Sequence, residues 1–213
     1  MTNRSVTRSP LGVALLVLPM AAAVVAACDA DPVHTAAVNA LGPEVSGIPK
    51  GEYHRAGQPC VTCHGGEGPA STVFTIAGTV FYGPANNPNT PPIGVGNASV
   101  LLEDDSTSEP PIPVTTNCVG NFYLKPSDWP GHPEFPVLVT VQGQPENTNL
   151  EVSMQSHIGR DGSCSDCHQY PTNLNYFQTP GLVHLSPTDD PNFQGTDPNC
   201  PVNPVPPGFG GGP

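Results

Sequence analysis

Two pentapeptides constrain this chain more than any other feature in it. Cys60-Val61-Thr62-Cys63-His64 recurs as Cys164-Ser165-Asp166-Cys167-His168. In each, cysteines three apart fall on one helical turn, and the histidine that follows is carried on the same turn. Any fold has to present two such turns with both thiols and the imidazole within reach of one ligand. The rest of the sequence offers little helix for the purpose. Proline (29) and glycine (23) make up nearly a quarter of the 213 residues, which favours short strands, turns and irregular loops. A small chain of this kind needs something besides an apolar core to hold its irregular parts.

The C-x-x-C-H spacing reads as c-type haem attachment. The two thiols each add to a haem vinyl group, and the next residue, histidine, is then held under the ring with its imidazole on the iron. Two copies imply two haem c groups, bound through Cys60, Cys63, Cys164 and Cys167, with His64 and His168 as iron ligands. Two other readings use the same residues. Paired C-x-x-C can build a zinc site, although zinc does not require a histidine after each pair and is unusual in an exported, oxidising setting. Two disulfides, or a redox-active C-x-x-C pair, is the other.

The surroundings of the motifs repeat weakly. His54 and Arg55 precede the first, and His157 and Arg160 precede the second. Haem iron takes a sixth ligand unless it binds a small molecule, and His or Met is usual in electron transfer. His54 and His157 are the candidates, with ordinary loop histidines as the alternative. His34, His132 and His184 rank below them; His184 lies in the apolar stretch Leu182-Val183-His184-Leu185. Met154 sits in an alternating, strand-like setting. Lys50, Arg55 and Arg160 are scarce cations that all flank the repeats. Arg55 and Arg160 are candidate partners for haem propionates, which need a cation or donor when partly buried. Solvated surface charges are the alternative.

The N-terminus carries Arg4 and Arg8 without an acid, then an apolar run from Leu11 to Ala27 interrupted by Pro19, then Cys28. This pattern reads as a secretory leader over residues 1–27. The run is too short and broken for a good membrane span. Val25-Ala26-Ala27-Cys28 resembles the lipobox of bacterial lipoproteins, which implies cleavage before Cys28 and a lipid on its sulfur; an ordinary secretory leader is the alternative. Either way the expected location is outside the cytoplasm, and with the lipid it is a bacterial membrane, on its periplasmic face or at the cell surface. Losing Arg4 and Arg8 takes the formal charge from −12 to −14. So acidic a surface repels nucleic acid and suits an anionic membrane poorly, so a membrane link has to come from the lipid. Of the seven cysteines, Cys118 and Cys200 are left over. Export favours a disulfide between them, with two free thiols as the alternative.

Between the motifs the composition changes. Residues 73–82, 98–102, 112–116, 121–124, 137–142 and 150–154 are short runs rich in β-branched and aromatic residues, separated by Pro/Gly/Asn clusters. The spacing predicts a mainly β fold with a β-sandwich. Gly78-Thr79-Val80, Ala98-Ser99-Val100-Leu101-Leu102, Thr116-Asn117 and Gly120-Asn121-Phe122-Tyr123 follow in an order that resembles carboxypeptidase-regulatory-like Greek-key sandwich domains. That resemblance covers about residues 73–154 and implies fold, not function. A long Pro-rich insertion over 83–97 departs from it. The expected organisation is a leader (1–27), a first haem-binding arm (28–72), the sandwich (73–154), a second haem-binding arm (155–196) and a Pro/Gly-rich tail (197–213). The arms are expected to be irregular, with little helix. Whether the sandwich separates the haems or the arms fold back and bring them together is open at this level.

The two motifs resemble those of small multihaem c-type cytochromes. The resemblance implies electron transfer with redox protein partners, and bis-histidine ligation implies lower potentials than His/Met ligation. A haem enzyme, peroxidase-like or acting on small ligands, is a second class and needs an open iron. A surface scaffold or adhesion lipoprotein is a third. Self-assembly through haems of neighbouring subunits is an extension of the first.

Overall fold

The computed structural model describes residues 31–82, 92–106, 109–131, 133–143, 150–168, 180–185 and 200–201. The chain divides into two compact units, residues 1–40 and 41–213. In the first, helix α1 spans Pro32–Ala40. Its start is set by Asp31, whose Oδ1 accepts the N–H groups of Val33 (2.8 Å) and His34 (3.2 Å). Those donors have no partner inside the helix, and Pro32 occupies the first helical position, where its missing N–H costs nothing.

The second unit is mostly sheet. Its strands are β1 (Ile76–Tyr82), β2 (Ser99–Glu103), β3 (Ile112–Thr115), β4 (Asn121–Leu124), β5 (Leu138–Gln142), β6 (Glu151–Ser153) and β7 (Val183–Leu185). Two short helices, α2 (Cys60–His64) and α3 (Cys164–Cys167), are the two cysteine motifs themselves. One sheet has the order β4-β1-β7 and the other β3-β2-β5-β6. Every pairing is antiparallel except β1 with β7, which is parallel.

The strands form where β-branched and apolar residues alternate with polar ones. In β2 and β5 alternate residues are buried, as expected when one sheet face packs on a core and the other faces outward. The core joins both sheets: Ile76, Val80, Phe122, Leu124 and Leu185 from one, and Val100, Leu102, Val139 and Val141 from the other, with Val95, Trp129 and Val137 between strands. Strand β1 differs, because all but Tyr82 of its residues are buried. Ile76 and Val80 point into the shared core, while Phe81 joins a second cluster with Ala56, Val119 and Leu182. The first arm therefore covers the outer face of β1.

Six of the seven strands lie where the alternation predicts them. Strand β7 does not. It comes from the second arm, at 183–185, and completes the three-stranded sheet by pairing Val80 with Val183, Phe81 with His184 and Tyr82 with Leu185. Three residues carry too little periodicity to be read as a strand. The second arm is thus part of the sheet architecture. At the end of the Pro-rich insertion, Gly94 bridges Phe81 and the Val95 N–H reaches the Val80 carbonyl at 2.9 Å, which lays these two residues against β1. Cys118 and Cys200 form a disulfide with Cα atoms 5.9 Å apart, so the tail is tied to the turn before β4. Residues 1–30, with the leader and Cys28, lie outside the described residues, as do His132 and residues 202–213 of the tail.

Candidate functional site

The first motif is stitched to the sheet by buried polar side chains. The Gly57 N–H donates to Thr79 Oγ1 at 2.8 Å, and Thr79 Oγ1 donates to Asn121 Oδ1 at 2.8 Å. Asn121 Nδ2 donates in turn to the carbonyls of His54 (3.1 Å) and Glu52 (3.2 Å). Thr79 and Asn121 face each other across β1 and β4. The turn-rich arm has no ladder to satisfy its backbone, so strand side chains do it instead. Arg55 clamps the same arm from outside. Its guanidinium pairs with Glu44 (Nε to Oε1, 3.0 Å) and donates to Gln58 and to the carbonyls of Leu41 (3.2 Å) and Gly42 (2.8 Å).

Helix α2 then carries Cys60, Cys63 and His64. The His64 Nδ1 lies 2.7 Å from the Thr72 carbonyl oxygen. A carbonyl only accepts, so Nδ1 bears the proton and Nε2 keeps its lone pair for a metal. The ring is stacked on Phe74 (centroids 4.1 Å, 12° from parallel), and Phe74 is stacked on Tyr123 (4.5 Å, 15°). Lys125 Nζ lies 5.7 Å from the Tyr123 centroid and closes the column.

The His54 ring is 6.0 Å from that of His64, centroid to centroid. A metal held between two imidazoles, at about 2 Å from each ring nitrogen and with each nitrogen about 1 Å from its centroid, places the rings about 6 Å apart. Among the described residues, nothing hydrogen-bonds the buried His54 Nδ1. Burial, ahead of the nearby His64, Arg55 and Lys50 charges, lowers its pKa against the opposing pull of Glu44. That keeps the ring neutral, as a ligand must be.

The second motif is attached to the other edge of β1. The Ala77 N–H donates to the Gly162 carbonyl at 2.9 Å, and Ala77 forms a parallel bridge with Ser163. Helix α3 starts at the next residue. Cys164 is packed against the shared core. A Cβ on Gly78 would lie 2.7 Å from Cys164 Cβ and 3.1 Å from its Sγ, so only glycine admits this approach. The His168 Nδ1 lies 2.9 Å from the Gly181 carbonyl oxygen, which leaves its Nε2 available just as at His64.

The four motif cysteines are free thiols. Burial pushes Cys60 and Cys164 up to about 12, and Cys164 is raised further by the neighbouring Cys60. Cys63 is also raised by burial, with Arg55 pulling it back. Protonated thiols are poor nucleophiles for disulfide exchange. Burial, reinforced by the neighbouring Asp161, pushes Asp166 up to about 6. Among the described residues no three His, Cys, Asp or Glu side chains converge as a zinc site requires.

The remaining candidates are dispersed. His157 and Arg160 are exposed, His157 beside the bridge that joins Ile158 to Val137. His184 is half-buried on β7 opposite Phe81; its Nδ1 has no hydrogen-bond partner among the described residues, and burial lowers its pKa. His34 lies in α1. Met154 packs on the shared core. Thr72, Phe74, Tyr123 and Gly181, which orient the two motif histidines, are not named by sequence reasoning. Phe74 lies in a run that reads as strand, and a backbone carbonyl carries no residue signature at all.

Comparison of the chain with protein-family models, with curated proteins and with solved structures returns no match.

Proposed function

We propose that this chain is an exported dihaem c-type cytochrome that carries electrons. The observation that carries the reading is the pair of Nδ1 contacts, His64 to Thr72 and His168 to Gly181. In each motif the imidazole is oriented by a backbone carbonyl and its other nitrogen stays available, beside two unpaired thiols on the same turn. That donor set suits haem c. Cys60 and Cys63 would form the thioethers of the first site and Cys164 and Cys167 those of the second, each thiol hydrogen passing to the vinyl group it adds to. His64 and His168 would ligate iron through Nε2.

Haem in these sites supplies a one-electron Fe(III)/Fe(II) couple at iron. The residues do the rest. His54, whose ring centroid lies 6.0 Å from that of His64, would supply the second imidazole to the iron of the first site. For the second site the sequence offers His157 and, below it, His184, which lies on β7. Phe74 and the Thr72 carbonyl hold His64 against rotation. Partial burial of Cys60, Cys63 and Cys164 against the rest of the fold would limit water at the thioethers and help tune the potential. Arg55 is committed to its own arm, so its role toward a propionate is secondary to holding the 41–58 segment; Arg160 is the exposed cation beside the second site.

The Greek-key resemblance belongs to the same reading. Pairing of β4 with β1 and of β2 with β3 is the adjacency a Greek key gives when it is folded over two sheets. Cys28 would carry the lipid that keeps the protein at a bacterial membrane near redox partners. No helix among the described residues is long and apolar enough to cross a membrane.

The test is the mass and spectrum of the chain matured in a host with cytochrome c maturation machinery. Two haems that resist acid-acetone extraction and a low-spin c-type reduced band are expected. A colourless chain of unmodified mass would overturn the reading.

A further inference from the structure

We propose that strand β1 holds the two covalent haems as one electronically coupled pair, joined across Ala77, Gly78 and Thr79. This rests on the dihaem reading above and settles what the spacing of the motifs leaves open, whether the sandwich keeps the haems apart or the arms bring them together.

The two motifs are 104 residues apart in sequence, from Cys60 to Cys164, yet they dock on three consecutive residues. Thr79 receives the Gly57 N–H, three residues before Cys60. Ala77 donates to Gly162 and bridges Ser163, the residue before Cys164. Gly78 lies between them, and its missing side chain is what lets Cys164 Sγ come within 3.1 Å of the Cβ position. Both α2 and α3 pack against β1. Ala77 and Thr79 are two Cα steps apart, about 7 Å along an extended strand. A haem ring is wider than that. Haems tethered through Cys60 and Cys164 would therefore hang from turns that are both anchored to this one stretch of β1.

The experiment compares the mature dihaem protein with two single-haem variants, Cys60→Ala/Cys63→Ala and Cys164→Ala/Cys167→Ala. Soret circular dichroism and redox titration are recorded for all three. A bisignate couplet present only in the dihaem protein, with the midpoint of the remaining haem in each variant displaced from its value in the dihaem protein, is expected. A dihaem spectrum equal to the sum of the two variants, with unshifted midpoints, would overturn the coupling while leaving the cytochrome reading intact. Should a variant fail to fold, the dihaem protein alone decides: a Soret signal without a couplet in the oxidised and reduced states sinks the proposal. A chain with no covalent haem removes both readings.

Discussion

Thr79 and Asn121 share a 2.8 Å hydrogen bond beneath the first motif, and through it the arm is bound to the sheet. Thr79 also accepts the Gly57 N–H, and Asn121 donates to two arm carbonyls. The arm that carries Cys60, Cys63 and His64 is therefore positioned by two strand residues with no chemistry of their own.

Thr79→Val keeps the shape of the side chain but leaves the Gly57 N–H and Asn121 Oδ1 buried without their partner. A loss of about 1–3 kcal/mol in unfolding free energy is expected, read from urea denaturation. Thr79→Ser, which restores the hydroxyl, should recover most of it. Equal stability of the Val and Ser variants would mean that the polar link is not what holds the arm.

Gly78→Ala places a methyl group 2.7 Å from Cys164 Cβ and 3.0 Å from Phe122 Cζ. Strand, helix and core side chain all surround the site, so relief requires α3 to move. Destabilisation by about 1–3 kcal/mol is expected. The yield of the second haem should fall while the first is retained, which intact mass resolves as a one-haem species. Full two-haem occupancy would show that α3 does not rely on this approach.

His54→Gly should open the sixth position of the first iron. The reduced variant is expected to bind carbon monoxide at one more haem per chain than the parent protein, seen as a new Soret maximum. The same measurement on His157→Gly and His184→Gly identifies the partner of His168. Should His54→Gly bind no more carbon monoxide than the parent, His54 is not a ligand.

Removing the Cys118–Cys200 disulfide frees a loop closed over 82 residues. Cys118→Ser with Cys200→Ser should lower stability by about 2–5 kcal/mol. Because Cys118 and Cys200 both pack on the cluster that contains Phe81 and Ala56, proteolysis of the variant should begin in the tail and the first arm. An unchanged denaturation midpoint would place the stabilising role of the tail in doubt.

Much of this was legible in the chain. The two pentapeptides put two thiols and an imidazole on one helical turn, because that placement follows from spacing alone. The mainly β class and six of seven strands follow from alternation, because a half-buried strand writes its two faces into its side chains. Tertiary structure decided what depends on partners distant in sequence. Strand β7 exists because Val183–Leu185 finds a free edge of β1, not because three residues prefer to be extended. Thr72 and Gly181 orient the motif histidines through backbone carbonyls, which every residue has. The separation of the motifs could not be read from the residues between them, since it is set by the docking of both arms on Ala77, Gly78 and Thr79. A motif records the chemistry local to one turn; the distance between two motifs is a property of the fold that packs them.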